Sequence, residues 1–227
     1  APEVLVTAQK RSMHSWYRHQ VQYKCASLDQ LPLEHGEADV VFSANVSQYL
    51  PDPAATFATL GRYLRDGGLL AVKDIDFGTL CFSNIDTQLQ ERVYEARRDW
   101  EIRRVLRGYS FEDSWVGSKL AGYMLKAGYQ DVRVQKYRIV RHYPLAEDFR
   151  TYLQGVGEWF VCEGAPYLSR RDVAAWLNCF LDERHCVFND PSFSFEETEY
   201  MVTGTWRGVQ SYPRCDTAVE EILCAHL

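Results

Sequence analysis

The stretch from Asp39 to Val72 alternates strand, helix and strand signals, and this restricts the fold more than any other part of the chain. Asp39-Val40-Val41-Phe42-Ser43 is a continuous apolar run of the kind buried on both faces of a parallel sheet. Pro53 stands where it can open a helix, since its missing N–H costs nothing there, and Phe57, Leu60, Tyr63 and Leu64 recur at helical spacing. Asp66-Gly67-Gly68 is a stop signal for that helix, and Leu69-Leu70-Ala71-Val72 begins the next strand. Strands alternating with helices at this pitch predict a doubly wound α/β sheet.

Before this block, Val4-Leu5-Val6-Thr7 reads as a short buried strand, residues 11–19 as a polar helix, and Val21 to Cys25 as an alternating strand. Beyond Asp76 the rhythm changes. Residues 86–107 predict a long charged helix and 115–127 a second one, followed by a strand from Asp131 to Gln135. Residues 145–160 and 169–184 are helical and rich in aromatics, and Glu199 to Trp206 is a late strand, read as the antiparallel partner of 131–137. The 227 residues fit one large α/β domain, or one carrying an inserted cap.

A net charge of −6 argues against a nucleic-acid groove, which wants clustered Lys and Arg. The basic pairs Arg97-Arg98 and Arg103-Arg104 are interleaved with Glu91, Glu95, Asp99 and Glu101 and read as a solvated helix face. Seven cysteines, without a paired CxxC, predict neither a zinc site nor a disulfide framework. Cys25, Cys81 and Cys179 have apolar neighbours and read as small hydrophobes. With no apolar run approaching the roughly 18 residues of a membrane span and no signal-peptide pattern, the expectation is a reducing cytoplasm and no membrane span.

The ordered set Leu31-Pro32-Leu33, Ala38 to Val46, Tyr49-Leu50-Pro51-Asp52-Pro53 and Leu60 to Leu70 resembles the middle of class I S-adenosylmethionine-dependent methyltransferases of the ubiquinone/menaquinone-biosynthesis type. In that family an LPF-like turn precedes an FDxV strand, a helix opens at Asp-Pro, and a Pro-Gly-Gly turn leads into the fifth strand. Here Asp66 replaces that proline. Leu125-Lys126-Ala127-Gly128-Tyr129 resembles the end of the family's penultimate helix. The resemblance implies a Rossmann-like sheet with the cofactor lying across the carboxyl ends of its strands.

It also implies what is not found. The family's first strand and its D-x-G-x-G turn belong upstream of Val4, the ribose carboxylate falls at Gln9-Lys10, and Ser27 stands where the adenine-side acid is expected. The expected fold is therefore an incomplete doubly wound sheet, first strand missing, with a helical cap and a C-terminal antiparallel strand pair. Its parts are a partial Rossmann core over 1–80, a cap over 81–115 and 143–195, the end of the core sheet over 116–142 and 196–210, and a tail over 211–227. An unpaired central gap exposes strand edges, a liability relieved either by a preceding segment, if these residues are part of a longer chain, or by a second chain that covers the incomplete half. Two functions follow. One is methylation of an apolar or aromatic small molecule with S-adenosylmethionine held only once another methyltransferase-like chain, or a second copy, completes the site. The other is a silent accessory subunit that binds no cofactor and activates a partner methyltransferase.

By this resemblance Ser27, Leu28, Asp29, Asn45 and Val46 are the cofactor-side candidates. Tyr49 and Asp76, at the ends of the fourth and fifth strands, are the candidates for proton handling. The aromatic set Tyr143, Phe149, Tyr152, Trp159, Phe160 and Tyr167 falls in the acceptor region, with Tyr143, Tyr152 and Trp159 the substrate-binding candidates and an apolar, flat acceptor implied. Asn45 and Val46 read equally as a helix cap with packing, and the aromatic stripe equally as core. His14, His19 and His142 read as surface residues.

Overall fold

Pro2, Glu3 and a run of helix formers ending in Lys10-Arg11 give the first element, α1 (Pro2–Ser12), with acid at its start and base at its end as the helix dipole favours. In the computed structural model, which describes residues 2–28, 30–182 and 184–208, the chain continues through β1 (Ala38–Ala44), α2 (Pro53–Gly61) and β2 (Leu64–Phe82). There follow α3 (Thr87–Arg104), α4 (Leu120–Lys126), β3 (Gln130–His142), α5 (Glu147–Gly164), α6 (Arg170–Leu181) and β4 (Ser194–Thr205). The four strands form one sheet in the order β1-β2-β4-β3. β1 runs parallel to β2, and β4 runs antiparallel to both β2 and β3. The mixed α/β class and the late antiparallel pair are as the sequence predicts.

Each face of the sheet has its own core. On one face α2 and α4 bury Phe57, Leu60, Leu120 and Met124 against Leu70, Val72 and Val202 of the strands. On the other, α3, α5 and α6 gather Val93, Phe160, Trp176 and Phe180 around Leu80, Phe82 and Phe195. The buried Trp176 donates its indole N–H to the Gly157 carbonyl at 2.8 Å, so its polar atom is satisfied inside the cluster. Phe195 also brings Phe149 of α5 onto the end of β4, with ring centroids 5.8 Å apart.

Four expectations are corrected. Val4 to Thr7 are helical, because the short apolar run is outweighed by the helix formers that follow it. Val21 to Cys25 form no strand, having no ladder partner among the described residues, and Cys25 and Cys81 are exposed. α2 ends at Gly61 rather than at the Asp66-Gly67-Gly68 signal, because β2 already begins at Leu64, which pairs with Ala38 of β1. Gly67 (φ 74°) instead serves a register shift inside β2. Finally, Arg97 and Arg104 are buried rather than solvated. The tail from 211 lies outside the described residues.

Candidate active site

At the carboxyl end of β1 the chain turns on Asn45, held in the left-handed region (φ 57°). Its backbone N–H donates to the Lys73 carbonyl at 2.8 Å, and its side-chain carbonyl accepts from the Lys73 ammonium at 3.4 Å. The turn carries Val46 and then Ser47–Tyr49 past the middle of β2, beside Lys73 and Asp74, as a single 3-10 turn. The Ser47 N–H donates to the buried Asp74 carboxylate at 3.3 Å. Burial pushes the Asp74 carboxyl up, while the Ser47 donors and Lys73 pull it partly back.

This turn forms one wall of a cavity of about 420 Å³, shared with Phe77 of β2 and with Tyr152, Val156 and Trp159 of α5. Tyr49 stands half-exposed on it. The Tyr152 phenol is pushed up to about 12, first by burial and then by the Glu197 and Glu199 carboxylates. Trp159 has two close neighbours: the Arg97 guanidinium lies 3.7 Å from its ring centroid, and the Phe77 ring is 4.8 Å away.

Behind Trp159 lies a buried charge network. Arg97 pairs with Glu101 at 3.1 Å and with Glu112 at 3.0 Å, Arg104 pairs with Glu112, and the Ser114 N–H donates to Glu101 at 3.0 Å. Two cations and two anions cancel, so the network holds residues 111–115 against α3 without leaving a net charge beside the cavity. Glu112 lines this cavity and also a second one of about 590 Å³ between α3 and the 111–119 segment.

The candidates from sequence separate. Tyr49, Tyr152 and Trp159 meet on one cavity, and Asn45 and Val46 lie in the turn that leads to it. Asp76 is buried, with its two oxygens accepting the Gly78 and Ser118 N–H groups at 3.0 and 3.2 Å. It holds the turn at Gly117 against β2 and is not among the residues lining the cavity. Tyr143 stands just past the end of β3, donates its backbone N–H to Phe193, and is also off the cavity. Ser27 is exposed, Leu28 packs on the core beneath α2, and Asp29 lies outside the described residues.

Asn45 is not a helix cap: the residue that precedes the 3-10 turn is Val46, and the Asn45 side chain accepts from Lys73 instead. Of the aromatic set, Phe160 is core, as the alternative reading expected. The Arg97, Glu101 and Arg104 network and Glu197 were not foreseen. The one available signal was the alternation of charge sign along one helical face, and such a face reads by default as solvated.

The described residues do not by themselves fit the whole of S-adenosylmethionine. Among the described residues no glycine-rich turn follows a strand to cradle the methionine end, and Gln9 and Lys10 lie exposed on α1 rather than at a strand end. No group of His, Cys, Asp and Glu among the described residues is arranged to hold a metal ion, and no described helix is long and apolar enough to cross a membrane.

Residues 1–72 match a family model described as a methyltransferase domain. No curated protein matches the chain. Among solved structures, a putative methyltransferase from Bacillus halodurans shares 16% identity at a TM-score of 0.50, covering 92% of this chain and 80% of that one. The YcgJ protein of Bacillus subtilis gives the same identity, TM-score and coverage. At this identity the structural likeness speaks for the fold. The resemblance to class I S-adenosylmethionine-dependent methyltransferases therefore stands, by the match over residues 1–72 and by the fold.

Proposed function

Taking that class I methyltransferase fold as the premise, we propose that this chain carries the acceptor side of a cytoplasmic S-adenosylmethionine-dependent methyltransferase acting on an apolar or aromatic small molecule. A second methyltransferase-like chain completes the cofactor side. The observation that supports this is the cavity of about 420 Å³ where the turn after β1 meets the aromatic face of α5. Asn45 and Val46, with Ser27, Leu28 and Asp29, are assigned to the cofactor wall. Tyr49, Tyr152 and Trp159 are assigned to the acceptor, with Tyr143 outside the cavity. Of the two candidates for proton handling Tyr49 is the better placed, because the Asp76 oxygens are already engaged by backbone amides. The helical region over 81–115 and 143–195 is the acceptor cap in this reading.

When bound, S-adenosylmethionine supplies an electrophilic methyl group. This chain's own residues hold the acceptor flat between rings and exclude water from it. The rival reading, a silent accessory subunit, is favoured by the same lack of a glycine-rich cradle among the described residues.

The two separate in one assay. The chain, purified with whatever it assembles with, is given methyl-labelled S-adenosylmethionine and a panel of phenols and quinols. On the first reading label reaches an acceptor, and Trp159→Ala lowers kcat/KM by about tenfold or more. Transfer that is indifferent to Trp159→Ala rejects the acceptor site and leaves the accessory role.

A further inference from the structure

The larger of the two cavities, about 590 Å³ between α3 and the 111–119 segment, shares only Glu112 with the acceptor cavity. Its α3 wall follows from helical spacing. Arg98, Glu101, Ile102 and Val105, the last just past the end of α3, stand at i, i+3, i+4 and i+7 and fall on one face. Ile102 and Val105 are 66% and 50% exposed there, and Phe111 and Trp115 of the facing segment complete the apolar lining. Water-exposed apolar side chains grouped on a concave wall mark a place where a ligand gains by covering them.

The charges around this cavity decide what that ligand carries. Glu101 and Glu112 are matched by Arg97 and Arg104 in the network behind Trp159. Asp113 is matched by Lys119, whose ammonium lies 2.9 and 2.7 Å from its two oxygens. Arg98 keeps its charge unmatched. Among the described residues it makes no ion pair, and its guanidinium lies over the Trp115 ring, 4.9 Å from the centroid. The ring attracts the cation and helps to hold it at the cavity, yet it takes up none of the N–H fork that a carboxylate would accept from.

We propose that this cavity is a ligand site separate from the acceptor cavity, and that it takes a monoanionic amphiphile. An aliphatic or aromatic body lies against Ile102, Val105, Phe111 and Trp115, and one carboxylate meets Arg98. A single unmatched cation calls for a single negative charge, which favours a carboxylate over a dianionic phosphate ester. Nothing in this site depends on methyl transfer, so it stands or falls apart from the acceptor reading.

The test titrates the full chain with hexanoate, hexanol, hexylammonium and hexyl phosphate. Binding is read from the Trp115 indole N–H signal in chain labelled with nitrogen-15 tryptophan, with Trp115→Phe assigning it. The expected result is a saturable shift with hexanoate at several-fold lower concentration than with hexanol, and none with hexylammonium. Arg98→Leu, at an exposed position, brings hexanoate to the level of hexanol, whereas Arg98→Lys keeps the preference. Val105→Trp, which fills the cavity, abolishes the shift, and Tyr49→Ala, in the acceptor cavity, leaves it unchanged. Equal response to hexanoate and hexanol, including none to either, overturns the site, as does a preference that survives Arg98→Leu. Loss of binding in Tyr49→Ala with retention in Val105→Trp overturns its location. Tighter binding of hexyl phosphate than of hexanoate overturns the carboxylate assignment.

Discussion

Glu197 and Asp74 are buried carboxyls whose ionised forms the fold disfavours, and each is pushed up chiefly by desolvation. The linkage has a definite sign. A carboxyl raised in the folded state binds its proton more tightly there than in the unfolded chain. Its favourable contribution is full below the unfolded value and is lost as pH rises through the folded one. Glu197→Gln is therefore expected to stabilise the protein at pH 7 by about 1 kcal/mol, with the gain vanishing toward pH 4, as read by urea unfolding at both pH values. The opposite sign belongs to Arg97, which is fully buried between Glu101 and Glu112. Arg97→Met leaves those carboxylates short of a partner and is expected to cost ~3–5 kcal/mol in the same assay, with altered Trp159 emission because its stacked cation is gone.

Among the elements, those with a strong period were legible: β1, the start of α2, α3, α5, α6 and the β3–β4 pair lie where the pattern placed them. What was not legible depended on contacts remote in sequence. The end of α2 is set by the pairing of Leu64 with Ala38 of β1, so no local signal at Gly61 reveals it, and the Trp206 ring that packs on Gly61 comes from well over a hundred residues away. Gly61→Ala puts a Cβ 2.5 Å from that ring and is expected to cost ~1–3 kcal/mol, seen as a lower Tm with the same helical circular dichroism. α1 was misread for the converse reason. Val4-Leu5-Val6 is as apolar as a strand, but a strand needs a neighbour, and the local propensity for helix prevails without one. The cavity was half legible: helical spacing brought Tyr152 and Trp159 together on α5, but only the tertiary fold adds Tyr49 and sends Tyr143 elsewhere.

Among the described residues the sheet is uneven at its β1 edge. β1 is an outer strand of the sheet, and Val40 and Phe42 on it are 56% and 61% exposed. An apolar edge of this kind is a pairing surface, and it is the surface a second methyltransferase-like chain would cover in the proposed assembly. Phe42→Lys is expected to reduce self-association of the isolated chain, measured by sedimentation velocity, while leaving its Tm within a few degrees. The central claim is that these residues hold the acceptor and that the glycine-rich part of the cofactor site is supplied from outside them. Isothermal titration of S-adenosylmethionine into the isolated chain tests it most directly. The account predicts no saturable heat up to about millimolar ligand, a limit worth about −4 kcal/mol of binding free energy. One-to-one binding at micromolar ligand by the isolated chain would contradict it.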